Sequence, residues 1–103
     1  MANLASAKGH EQSGVRPVVI LQNTILNRNF STVIVAPLTS NLCAKGKTTT
    51  YFLSKKKTGL KIDSVVLLFQ LRTLDKTRLI KEVGHLSANE FVHLRGTMLR
   101  MFY

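Results

Sequence analysis

The sequence predicts a mainly β fold with a C-terminal helix, a small β-barrel, and three observations lead there. The apolar residues fall in short runs rich in β-branched side chains, such as Val18-Val19-Ile20-Leu21 and Val33-Ile34-Val35-Ala36. Polar and turn-forming residues separate these runs, as expected of several short strands. Only the last part of the chain carries apolar residues at helical spacing behind a helix-start signal. With 103 residues there is room for a single domain and one core, 1–103.

The elements follow in order. Val18 to Leu21 is a short apolar run entered through Pro17, which suits the first residue of a strand. Asn23 to Asn29, with its asparagines, predicts a turn or hairpin loop. Thr32 to Thr39 is β-branched and apolar on both faces, the pattern of a buried central strand. Ser40 to Lys47 is a polar loop, and Thr48 to Leu53 reads as a strand from its threonines and aromatics. Lys55-Lys56-Lys57-Thr58-Gly59 is a turn with a charged tip, and Ser64 to Thr73 is the strongest strand pattern in the chain. A turn at Asp75 to Arg78 leads into a further strand, Leu79 to Leu86. Ser87-Ala88-Asn89-Glu90 has the form of a capping box, and Phe91, Leu94, Met98 and Met101 then give a helix one apolar face. Gly96 weakens that helix.

Composition narrows the functional classes. A net charge of +10 points to a polyanionic partner, nucleic acid or an acidic protein, against the plain alternative of a solvated basic surface. Clustering favours the partner, because Gln12 to Ile62 holds eight basic residues and no acidic one. A single cysteine, Cys43, excludes an internal disulfide, and three scattered histidines argue against a zinc site. No apolar run approaches the ~18–20 residues needed to span a bilayer. The N-terminal residues lack the apolar core of a signal peptide, so a cytoplasmic protein is expected.

Glu11 is the only carboxylate in the first 62 residues. It stands five positions before Arg16-Pro17, in Gly9-His10-Glu11-Gln12-Ser13-Gly14-Val15-Arg16-Pro17, a polar segment that places an acid and a base close together. The alternative is a surface ion pair worth ~0–1 kcal/mol. His10 can titrate near neutral pH, whereas His85 and His93 fall on the late strand and the helix and read as structural.

That first motif, followed by Thr32-Val33-Ile34-Val35-Ala36-Pro37-Leu38-Thr39-Ser40 and by Asp63-Ser64-Val65…Gln70-Leu71-Arg72-Thr73-Leu74-Asp75-Lys76, resembles the MazF/PemK family of toxin ribonucleases. The resemblance covers about Ala2 to the C-terminus. It implies an SH3-like barrel, a homodimer, and metal-free, cofactor-free cleavage of single-stranded RNA at short sequence motifs. The implied reaction is attack of a 2′-hydroxyl on the adjacent phosphorus, leaving a 2′,3′-cyclic phosphate and a 5′-hydroxyl, and the implied regulator is an acidic antitoxin protein. The matching positions are Glu11 as base, Arg16 as the group stabilising the phosphorane, and Thr39 as a hydroxyl aimed at the same phosphate. Gln12, Ser40, Lys45, Lys47 and Gln70 are the implied RNA-binding residues.

Two departures accompany the resemblance. Only Ala2-Asn3-Leu4 matches the end of the family's first strand, so that strand is expected to be mostly missing, through a start codon assigned too late or a decayed gene. Phe69 stands where an acidic residue is common, and packing is favoured for it over stacking on a base. Two other functions stay in view. A catalytically inactive RNA- or protein-binding barrel is kept open by the mostly missing first strand. A gyrase-poisoning toxin of the CcdB type shares the barrel but relies on a Trp-containing tail, and this chain has no Trp.

Overall fold

The structure, a computed structural model, describes residues 3–8, 14–21 and 30–102. Among these residues seven strands occupy Asn3–Lys8 (β1), Val15–Ile20 (β2), Thr32–Thr39 (β3), Thr50–Leu53 (β4), Ser64–Leu67 (β5), Arg72–Asp75 (β6) and Leu79–His85 (β7). A one-turn helix, α1, spans Lys55–Thr58, and the C-terminal helix, α2, spans Ala88–Arg100. The predicted loop at Asn23 to Asn29 lies outside the described residues.

The mainly β chain with a C-terminal helix is as expected, but the barrel is not. The strands form one open sheet in the order β4-β5-β3-β2-β1-β7, with β6 attached to β3 off that path. The cause lies in β3. One of its edges serves β2, while the other is divided between β6, opposite Thr32 to Val35, and β5, opposite Leu38 and Thr39. That division sends the sheet into two arms, and among the described residues no ladder joins its end strands β4 and β7, as closure requires. Pro37 falls at the changeover between β6 and β5, where an absent N–H costs least.

The N-terminal segment, expected to keep only the end of a first strand, forms a strand, β1. β1 runs for six residues and is paired antiparallel on both sides, to β2 and to β7, so it is interior to the sheet. β2 begins two residues before Pro17, which sits opposite Ser6 inside the ladder. The predicted strand Ser64 to Thr73 is two strands split by a 3-10 turn at Leu68–Gln70. Burial of Leu68 drives the break: it enters the core and its N–H donates to the Thr49 carbonyl at 3.1 Å. Phe69 is turned outward by the same bend and is 54% exposed, so it does not pack in this chain's core.

Alternating side chains of the central strands feed two apolar clusters. Val19, Ala36 and Leu38 join Leu4, Leu68 and Leu94 in the larger one, against which α2 packs. Val18, Val33 and Val35 face the other way, towards Ala5, Ala7 and Leu74. Leu94 is fully buried, and Phe91, Met98 and Met101 pack beside it, as their helical spacing predicts.

The helix start is half of the predicted capping box. The Ser87 hydroxyl accepts from the Glu90 N–H at 3.1 Å, but the Glu90 carboxylate accepts instead from the Tyr51 hydroxyl on β4, at 2.7 Å. Burial first, then the bond to Glu90 and its charge, raise the Tyr51 phenol above its ordinary range. The raised value means that this contribution is present below the unfolded phenol pKa of about 10 and is lost as pH climbs through the folded value. Tyr51→Phe is expected to destabilise the fold by about 1.5–3 kcal/mol at neutral pH, measured by urea unfolding. The Lys57 ammonium, 3.6 Å from the same carboxylate, is exposed and adds little.

Gly96 lies inside α2, and a Cβ there would meet only the Arg100 guanidinium at ordinary contact distance, 3.6 Å. Gly96→Ala is therefore expected to stabilise the protein by up to about 1 kcal/mol, read as a rise in melting temperature. An unchanged or lower value would show that the helix needs the glycine.

Candidate functional site

A groove of about 900 Å³ opens where the start of β2 meets the end of β3. Arg16 is the second residue of β2 and is exposed on the groove. Thr39 ends β3, is half-buried, and lines the same groove with the exposed Ser40. Two segments read as separate motifs in the sequence are thus neighbours in space. Antiparallel pairing of Val18 with Pro37 brings the N-terminal end of β2 alongside the C-terminal end of β3.

Thr39 combines a local and an available function. Its Oγ1 accepts from the Asn41 N–H at 3.1 Å, the local bond expected of a strand-end threonine. That bond uses a lone pair and leaves the hydroxyl proton to be donated into the groove. Glu11 and Gln12, with His10, lie outside the described residues.

The opposite wall comes from the segment after α1. Ser54 caps α1 by accepting from the Lys56 N–H at 3.2 Å, and Gly59 ends it at φ +81°, a left-handed conformation favouring glycine. The predicted charged turn is therefore a capped helical turn. The chain then runs through Leu60, Lys61 and Ile62 along the groove. The Thr58 hydroxyl donates to the Ser54 carbonyl at 3.0 Å and accepts from the Leu60 N–H at 3.3 Å, which fixes where the wall begins. Asp63 closes it from the far side by accepting from the Lys55 N–H at 2.9 Å.

Among the described lining residues the cations are Arg16, Lys61 and Lys81, against one carboxylate, Glu82. The groove is thus a concave surface of net positive charge with a mainly apolar floor that also holds Ser6 and Ser64. Lys81 and Glu82 escaped sequence reasoning because they sit in the mixed-charge second half, and only pairing of β7 with β1 brings them to the groove.

The other implied RNA-binding residues stand outside its lining. The Lys45 ammonium lies 4.1 Å from the Phe52 ring centroid, a cation–π contact. Lys47 lines a second cavity of about 600 Å³ together with Arg100, and Gln70 is exposed on the turn that follows β5. Among the described residues no helix is long and apolar enough to cross a membrane.

The open sheet with its C-terminal helix is a fold shared with known toxins. The Mycobacterium tuberculosis toxin MazF-mt6 superposes with a TM-score of 0.83 at 25% identity, over 97% of this chain and 95% of that one. A crystal structure of MazF from Deinococcus radiodurans gives 0.75 at 26% identity, over 97% and 92%. In sequence, the chain is 45% identical over 99 residues to the endoribonuclease MazF of Staphylococcus epidermidis, covering 95% of this chain and 82% of that protein. The family model of PemK-like, MazF-like toxins of type II toxin–antitoxin systems matches residues 1–102, and the chain belongs to that family.

Proposed function

We propose that this protein is a metal-independent endoribonuclease toxin that cuts single-stranded RNA in the groove between β2 and β3. The observation that carries the reading is that Arg16 and Thr39, from separate strands of a toxin-family chain, line one cationic groove.

The chemistry divides among three residues. Glu11 takes the proton from the 2′-hydroxyl, a role suited to a carboxylate that stays ionised beside a cation. The freed 2′-oxygen attacks the adjacent phosphorus, and the bond from phosphorus to the 5′-oxygen breaks. The products are a 2′,3′-cyclic phosphate and a 5′-hydroxyl, the latter formed when the departing oxygen acquires a proton. Arg16 stabilises the phosphorane, because its fork of N–H donors matches two phosphate oxygens and keeps its charge. A guanidinium, which holds its protons tightly, is a reluctant source of the departing group's proton. Thr39 donates its hydroxyl proton to the same phosphate.

Electrostatics serve both the substrate and the inhibitor. A net charge of +10 attracts RNA phosphates, with Lys45 and Lys47 adding to the field and Gln12, Ser40 and Gln70 contacting the strand. An acidic antitoxin segment occupies the same groove and excludes RNA. The protein works in the cytoplasm as a homodimer, a state supported by the exposed apolar residues Val92 and Leu99 on α2.

The requirement for the 2′-hydroxyl gives a direct test. An RNA carrying a single 2′-deoxy nucleotide immediately 5′ to the scissile phosphate is expected to resist cleavage at that bond. Its cleavage at the normal rate would contradict the proposed attack.

A further inference from the structure

One polar atom at the groove remains unexplained by cleavage. The Ser6 hydroxyl oxygen is shielded from solvent and has no hydrogen-bond partner among the described residues, although Ser6 lines the groove. The register shows why the strand ladder leaves it so. Ser6 stands opposite Pro17, which has no N–H and no polar side-chain atom, and opposite Lys81, whose side chain is exposed. A buried hydroxyl without a partner is disfavoured, and beside a groove a bound ligand can complete the bond.

The surroundings of Ser6 indicate what that ligand is. The less exposed part of the lining is mainly apolar, with Pro17, Leu38, Leu60 and Val83 beside Ser6, Thr39 and Ser64. A phosphate would be poorly served there, whereas the flat face of a nucleobase is matched by such a surface. The groove, about 900 Å³, lies towards the upper end of the range for small-molecule pockets, room for far more than one phosphate. Lys61 and Lys81, both exposed on the groove, are placed for the phosphates on either side of a seated base.

We propose that this floor is a nucleobase subsite and that Ser6 is a specificity-determining residue, its hydroxyl bonding the edge of a base next to the scissile phosphate. To bond a base the hydroxyl must rotate about the Cα–Cβ bond from its shielded position towards the groove. The inference rests on the reading of this groove as an RNA-cleavage site and adds which part of it reads sequence. A hydroxyl both donates and accepts, so it selects at one nucleotide position without by itself dictating which base.

The test compares wild-type protein with Ser6→Ala on one long RNA of mixed sequence, mapping every cut, alongside thermal denaturation of both. The variant is expected to lose preference for the favoured base at a single position by about 3- to 10-fold, the effect of one hydrogen bond. Cleavage at other contexts should persist, with no fall in melting temperature. An unchanged cut pattern overturns the subsite, as does a lowered melting temperature with uniform slowing, which would make Ser6 structural. No cleavage by the wild type would overturn the RNA reading and the subsite together, whereas cleavage with an unchanged pattern removes the subsite alone.

Discussion

Replacing Arg16 by alanine is expected to slow RNA cleavage about 100- to 1,000-fold, the usual effect of removing one preorganised donor from developing negative charge. Stability should change little, because Arg16 is exposed at the start of β2 and belongs to neither apolar cluster. Arg16→Lys should recover only part of the rate: it restores the charge but not the fork that grips two oxygens. Single-turnover cleavage measured beside thermal denaturation separates these effects. A cleavage rate close to that of the wild type would remove Arg16 from the chemistry. An equal loss of rate and of folded protein would reduce it to a structural residue.

Gly84→Ala is expected to destabilise the protein by about 1–3 kcal/mol or more, the range for overpacking a site that cannot yield. A Cβ at position 84 would overlap the carbonyl oxygen of Thr58, with the Leu4 side chain at 3.3 Å. Thr58 is buried and tied by its hydroxyl to Ser54 and Leu60, so the backbone has little freedom to retreat. Relief would have to come from moving α1 and the Leu60–Ile62 wall behind it. The substitution should therefore impair cleavage as well, although Gly84 does not line the groove. Urea unfolding checks the first effect, and cleavage assayed where the variant is folded checks the second. Wild-type stability would mean that β7 and α1 are less closely packed than the structure places them.

Local pattern revealed most elements, and long-range choices account for what it missed. β3 has the bounds its β-branched run predicts, Thr32–Thr39, and Ser87 caps the helix it was expected to cap. The other half of the capping box failed because Glu90 finds Tyr51, 39 residues away, a partner no window of sequence displays. Ser64 to Thr73 read as one strand because a continuous apolar run does not mark where a residue such as Leu68 turns into the core. Barrel closure depends on which edges of β3 are shared, and that is likewise invisible locally.

The site divides in the same way. Arg16 and Thr39 were legible as members of motifs, and the structure brings them to one groove. Lys81 and Glu82 carry no motif, and reach the groove only through the pairing of β7 with β1. Ser6 was still less visible, since a lone serine in a strand signals nothing until its neighbours are known to leave it without a partner.

The most direct test of the central claim is the chemistry of the fragment ends. Purified protein is incubated with a long single-stranded RNA in excess EDTA, and both ends of each fragment are identified. Cleavage should proceed, leaving 2′,3′-cyclic phosphate and 5′-hydroxyl ends, and should disappear in Glu11→Ala. Intact RNA, or fragments bearing 5′-phosphates, would contradict metal-independent attack by the 2′-hydroxyl in this groove.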